Sequence, residues 1–167
     1  MSDSFEARGF AVIPEVLADS ECQGVLNAVL EQERTESRSR AWLTHPWCQK
    51  LALSLKQHAA LVGIVGPGAV AVQCTLFEKS PDNNWLVSLH QDLSIPVRER
   101  VADRELTGWS TKEGALFVQP PVSVLESLVA LRVHLDDKAL APSFRRVLHF
   151  VFGPPALPHG LRWGQAV

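Results

Sequence analysis

The chain has no apolar run long enough to span a bilayer, no marked excess of either charge, and only three cysteines in 167 residues. Each shortage removes a class of function. Sixteen Lys and Arg against eighteen Asp and Glu give a formal net charge of -2, which leaves no electrostatic footprint for nucleic acid or for an anionic membrane surface. Cys22, Cys48 and Cys74 are odd in number, far apart in sequence and set among apolar residues. That pattern fits buried thiols in a reducing compartment better than a disulfide framework or a zinc cluster. Met1 to Arg8 carries acidic residues before its first basic one and has no apolar core of signal-peptide length, so the expectation is a cytoplasmic protein with no membrane association. There is no internal repeat and no low-complexity stretch. A 46% hydrophobic chain of this size can bury one substantial core, and a single domain over residues 1–167 is expected.

What is present divides the chain in two. Gly9 to Val16 (GFAVIPEV) is apolar with Pro14 near its end, the pattern of a short edge strand. Ser20 then suits an N-cap, and Cys22, Val25, Leu26, Val29 and Leu30 recur at helical spacing. The run Glu31 to Arg40 reads as a solvated helix end and loop. A second amphipathic helix is expected from Trp47 to Leu61, with Trp47, Leu51, Leu55 and Ala59 on one stripe, ending before the glycines at 63, 66 and 68. Residues 1–68 are thus mainly helical. From residue 69 the texture changes to short Val-, Leu- and Phe-rich segments broken by Pro, Gly, Asn and Asp. Strands are expected at Ala69 to Phe77, Trp85 to His90, Ala115 to Val118, Leu128 to Leu135 and Arg145 to Phe152. A charged loop is expected from Pro96 to Gly114, with Trp109 either over a pocket or simply core. Helices first and an antiparallel body afterwards predict an α+β chain built on a jelly roll or related barrel.

The chemistry-bearing stretch is FEKSPDNNWLVSLHQDLSIPV, which contains the triplet His90-Gln91-Asp92. On a strand, residues two apart share a face, so His90 and Asp92 would present an imidazole and a carboxylate side by side. Two histidines and a carboxylate make the facial triad of non-haem Fe(II) oxygenases, with open positions for a chelating co-substrate and O2. The plainer reading is a strand-end histidine paired with a carboxylate at a turn.

Taken together, GFAVIPEVL, the block around His90, the strand LVALRVHLDD and the closing FRRVLHFVFGPPALPHGLRW resemble the phytanoyl-CoA dioxygenase family of Fe(II)- and 2-oxoglutarate-dependent oxygenases. The resemblance implies a double-stranded β-helix of the cupin-like, jelly-roll kind with helices packed on one side. It places His90 and Asp92 at two iron ligands. It also places Arg145 at the arginine that clamps the distal carboxylate of 2-oxoglutarate, a task suited to a planar guanidinium. Arg146 is the alternative, one residue away and so on the opposite strand face. Arg132 and His134 fall on a strand that lines the co-substrate site in such relatives, with His134 also a candidate stand-in ligand. His149 shares a strand with Arg145 and reads either as a pocket residue or as a satisfied core histidine. His45, His58 and His159 read as structural or surface residues, Lys79 as an exposed strand-end charge, and Trp85 as core or as part of a substrate mouth.

The chain departs from the family between Asp137 and Lys138, where the segment that carries the distal iron-binding histidine in relatives is missing and the barrel is left incomplete. Two functions follow as expectations. One is an oxygenase that uses iron, 2-oxoglutarate and O2 to hydroxylate a small organic substrate, releasing succinate and CO2. The other is an inactive remnant that serves as a binding or interaction module, with association of two copies through an open sheet edge. Nucleic-acid demethylation by a related fold is disfavoured by the slight acidity.

Overall fold

The computed structural model describes residues 2–33, 40–79, 92–135 and 145–167. These residues form a mixed α+β structure with two three-stranded antiparallel sheets and five α-helices. In chain order the elements are α1 (Ser2–Arg8), α2 (Asp19–Glu33), a 3-10 turn (Trp42–Thr44), α3 (Pro46–Gln57), α4 (Val62–Val65), β1 (Val70–Lys79), β2 (Ile95–Val97), β3 (Thr107–Lys112), β4 (Ala115–Gln119), α5 (Val122–Leu125), β5 (Val129–His134) and β6 (Arg145–Gly153). No helix among the described residues is long and apolar enough to cross a membrane.

The helical third differs from expectation at its start. Gly9 to Val16 forms no strand: α1 precedes it, Glu15 takes a positive φ of 57°, and Phe10 and Val12 stand 60% and 85% exposed. An apolar alternation makes a strand only where a neighbour pairs with it, and none does here among the described residues. Helix α2 begins at Asp19, so the cap is Ala18 and not Ser20. The Ala18 N–H is satisfied by Glu21 Oε2 at 2.8 Å, the backward-reaching half of a capping box. Helix α3 starts with Pro46 in its first turn, where a missing N–H costs nothing. Its buried stripe is Cys48, Leu51, Ala52 and Leu55, while Trp47 is only partly buried and Ala59 lies beyond its end. The chain then makes one more helical turn, α4, across Gly63.

The larger sheet has the order β1-β6-β5. Strand β6 lies at its centre, where LHFVF supplies a long β-prone run, and pairs over its whole length with β1 and through Val147 to Phe152 with β5. Alternation then decides the two faces. Cys74, Leu76, Leu148, Phe150, Phe152, Leu131 and Val133 point toward α2 and α3 and pack with Val29, Trp42, Leu43, Leu51 and Leu55. A β-bulge between Ala71 and Gln73 inserts Val72 as an unopposed residue. It shifts the phase of β1, so Ala71 shares the helix side with Cys74 while Gln73, Thr75 and Phe77 fall on the other.

The smaller sheet has the order β2-β4-β3. Two of its strands overlap the expected Pro96 to Gly114 loop: β2 begins at Ile95, just before it, and β3 occupies Thr107–Lys112. Strand β3 is a polar edge whose sequence, TGWSTK, has no apolar alternation, and Trp109 sits in it. The indole packs against the second core, and the Arg100 guanidinium lies 5.2 Å from its ring centre. That core, built from Val72, Ile95, Val97, Leu106, Val118, Val124, Leu161 and Trp163, joins the bulged end of β1 to the smaller sheet. The C-terminal tail ties the two sheets. Val167 exchanges both backbone hydrogen bonds with Ala71, at 2.8 and 3.0 Å, and Trp163 bridges to Val97 while its indole N–H donates to the Pro154 carbonyl at 2.8 Å. Gly153 is required by this closure, since a Cβ there would meet Leu128 at 2.8 Å and Trp163 at 2.9 Å.

The expected strand Trp85 to His90 and the discontinuity at 137/138 lie outside the described residues.

Candidate functional site

The face of the larger sheet turned away from the helices carries polar side chains in ordered rows. Thr75 on β1, His149 on β6 and Arg132 on β5 are direct cross-strand partners, so they form one row across all three strands. The next row is Phe77, Val147 and His134, and beyond it Lys79 pairs with Arg145. By strand rise, Arg145 and His149 are separated by about 13 Å along β6.

Thr75 and His149 are the buried polar residues of the described chain, at 3% and 7% exposure. Burying polar groups this deeply costs free energy unless partners are supplied. Gln73 Nε2 donates to Thr75 Oγ1 at 2.9 Å. Arg132 Nε donates to His149 Nδ1 at 3.3 Å. A guanidinium N–H can only donate, so Nδ1 accepts and the neutral ring carries its proton on Nε2. Burial first, and then the Arg132 charge, push the His149 imidazole below its ordinary value. Asp92 opposes them, which places this carboxylate within electrostatic reach of the ring. Phe77 meets the same ring edge-on at 5.8 Å between centroids.

The two neighbouring arginines are separated by the alternation. Arg146 faces the helix side, its side chain 12% exposed, with Nε 2.5 Å from Glu78 Oε2. Glu78 is its cross-strand partner. The contact is an ion pair without the alignment of a hydrogen bond. Arg145 is exposed and, by its even spacing from His149, stands on the polar face. The sheet therefore brings Arg145, Arg132, His134 and His149 to one face, with Asp92 near His149.

His90, Trp85 and the residues around 137/138 lie outside the described residues, as does the side chain of Lys79. Among the described residues no group of three His, Cys, Asp or Glu is placed to hold a metal ion. Of the implied iron ligands the described residues contribute Asp92 alone. His149 does not extend the set, because Arg132 occupies the lone pair of Nδ1 and Nε2 bears the proton. Thr75 and Gln73 had no signal in the sequence, since the bulge that turns them to this face has none.

The remaining histidines have local partners. His159, at φ 59°, lies 3.0 Å from Asp103 Oδ2 and 3.6 Å from Glu105 Oε2. His58 Nδ1 accepts from the Ala60 N–H at 3.2 Å, and His45 stacks on Trp47. Asp103 is held below the ordinary carboxylate value by the Glu105 N–H and by His159. Spacing in the sequence hid one contact, that of Cys48 with Cys74. Burial, and then the neighbouring Cys48, push the Cys74 thiol well up, which keeps it an inert core thiol.

No family model, no curated protein and no solved structure matches this chain.

Proposed function

We propose that the polar face of the β1-β6-β5 sheet binds 2-oxoglutarate, and that the chain is a phytanoyl-CoA dioxygenase-like oxygenase dependent on Fe(II) and 2-oxoglutarate, acting on a small organic substrate. The observation that carries the reading is the row Thr75–His149–Arg132, with Arg145 on the same face and Asp92 within electrostatic reach of His149. Arg145 and Arg132 bring two guanidiniums to one face, suited to a dicarboxylate. The Thr75 hydroxyl and the His149 ring lie in one row with Arg132, where they supply a fixed polar floor.

A jelly-roll fold belongs to the same proposal. It is supported by two antiparallel sheets joined across a common core of Val72, Ile95, Val118 and Trp163. Iron held through His90 and Asp92 would supply the activation of O2. The chain's own contribution is to anchor the co-substrate through Arg145, to orient it against the His149 and Thr75 row, and to keep His149 neutral through burial and the Arg132 hydrogen bond.

A second reading, a binding module without turnover, is favoured by the same ligand count. One titration separates the two. Purified protein is titrated anaerobically with Fe(II) and 2-oxoglutarate, and the weak visible band of a metal-chelated keto acid is followed beside calorimetric binding of the keto acid. The oxygenase reading expects the band, and its loss in His90→Ala. Binding without the band leaves the module, and neither binding nor band removes both readings.

A further inference from the structure

A separate cavity of the described chain lies against the bulged end of β1. It measures about 390 Å³ and opens between β1, β2, the β3–β4 hairpin, the 3-10 turn and the C-terminal tail. Its volume falls in the range of small-molecule sites. Val72, Val97 and Phe117 give it a buried apolar floor, with Leu116 and Pro96 beside them. Its charged lining is Arg40, Arg98, Lys112 and Glu113. Arg40 and Glu113 neutralise each other through two contacts, Nη1 to Oε1 at 2.6 Å and the Arg40 N–H to Oε2 at 2.9 Å. Two cations remain. Lys112 lies 4.9 Å over the Phe117 ring and donates to the neutral Ser94 hydroxyl at 3.0 Å. Arg98 is fixed through its main chain, whose N–H donates to the Arg162 carbonyl at 2.9 Å. No carboxylate among the described residues pairs with either.

An apolar floor under two uncompensated cations selects for a particular ligand chemistry. We infer that this cavity binds a small amphiphilic organic anion, a carboxylate on an apolar body, with Arg98 and Lys112 meeting the carboxylate and Val72, Val97 and Phe117 meeting the body. Water and a neutral apolar molecule each satisfy half of the lining. A carboxylate with a short alkyl chain satisfies both, because it places charge-assisted hydrogen bonds at the rim and buries methylene groups beneath. Gln73 lines this cavity and also donates to Thr75 on the polar face, so it is the one residue the two sites share. The inference stands apart from the oxygenase reading, since neither Arg132 nor Arg145 lines the cavity.

The test uses three probes of equal length on the full chain: octanoate, octanol and octylammonium, each titrated by calorimetry, with backbone amide shifts used to locate the site. Octanoate is expected to bind once per chain and to shift the amides of Val72, Val97 and Leu116. Octanol should bind at least about tenfold more weakly and octylammonium not measurably. The double variant Arg98→Gln, Lys112→Gln should lose about tenfold in octanoate affinity while leaving octanol unchanged. Octanoate binding should persist in Arg132→Gln and under saturating 2-oxoglutarate, which keeps this result separate from the oxygenase reading. Octanol binding as tightly as octanoate, shifts confined to other residues, no octanoate binding, or a double variant that binds octanoate like the parent overturns the inference.

Discussion

His149 and Phe150 are neighbours in sequence and lie on opposite faces of the same strand. Phe150 is fully buried among Cys74, Leu131, Phe152 and the helices. His149 is buried nearly as deeply, but its contacts are Arg132, Thr75, Phe77 and the field of Asp92. One face of the β1-β6-β5 sheet packs the chain together, and the other, on the proposed reading, holds a polar ligand. A strand at the centre of a sheet can do both because its side chains alternate at a period of two. The difference is one of energetics. The helix side gains from removing apolar area from water, at about 25 cal/mol per Å². The polar side costs desolvation, offset only by hydrogen bonds that amount to little net stability.

The comparison is broken most directly by truncating each side in turn. Phe150→Ala removes a ring from a packed interior and is expected to lower unfolding stability by about 3–5 kcal/mol, read from chemical denaturation. His149→Gln keeps an acceptor for Arg132 and is expected to cost less than about 1.5 kcal/mol at neutral pH. If the two losses came out equal, the polar face would be part of the folding core and the contrast would fail.

A smaller effect sharpens the contrast through pH. The native His149 value lies below its ordinary 6.5, chiefly through burial and then through Arg132. As pH falls through the ordinary value, the unfolded chain takes up a proton that the native chain refuses. Stability therefore rises with pH across this window. The contribution is complete above about 6.5 and is lost progressively as pH falls toward the native value. Denaturation curves of the parent between pH 7.5 and 5.5 should show this loss and those of His149→Gln should show less of it, on the order of a unit scan around the His pKa. Parallel curves for the two proteins would mean that His149 titrates alike in native and unfolded chains.

Where the sequence carried strong alternation, the elements were legible. Arg145 to Phe152 and Leu128 to Leu135 match β6 and β5 to within one residue at each end, and Ala115 to Val118 matches β4. The alternation also separated Arg145 from Arg146, and the Glu78 pair shows which of them turns toward the helices. Strand β3 was illegible because TGWSTK is a half-exposed edge held by its neighbour, and β2 because three residues around a proline have no period. Gly9 to Val16 misled in the opposite sense, having the apolar pattern and no partner strand among the described residues. In the site, His149 could not be told from an ordinary core histidine by sequence, because its role depends on Arg132 arriving from another strand in register. Thr75 and Gln73 were hidden by the bulge, which changes the phase of β1 without any residue type that announces it.

The central claim is that the polar face holds 2-oxoglutarate through its arginines, and its most direct measurement is calorimetric titration of 2-oxoglutarate into the parent, Arg145→Gln and Arg132→Gln. One equivalent bound by the parent, with affinity lowered about tenfold or more in Arg145→Gln and to a lesser degree in Arg132→Gln, is the expected result. A parent that does not bind, or both variants binding as the parent does, would contradict it.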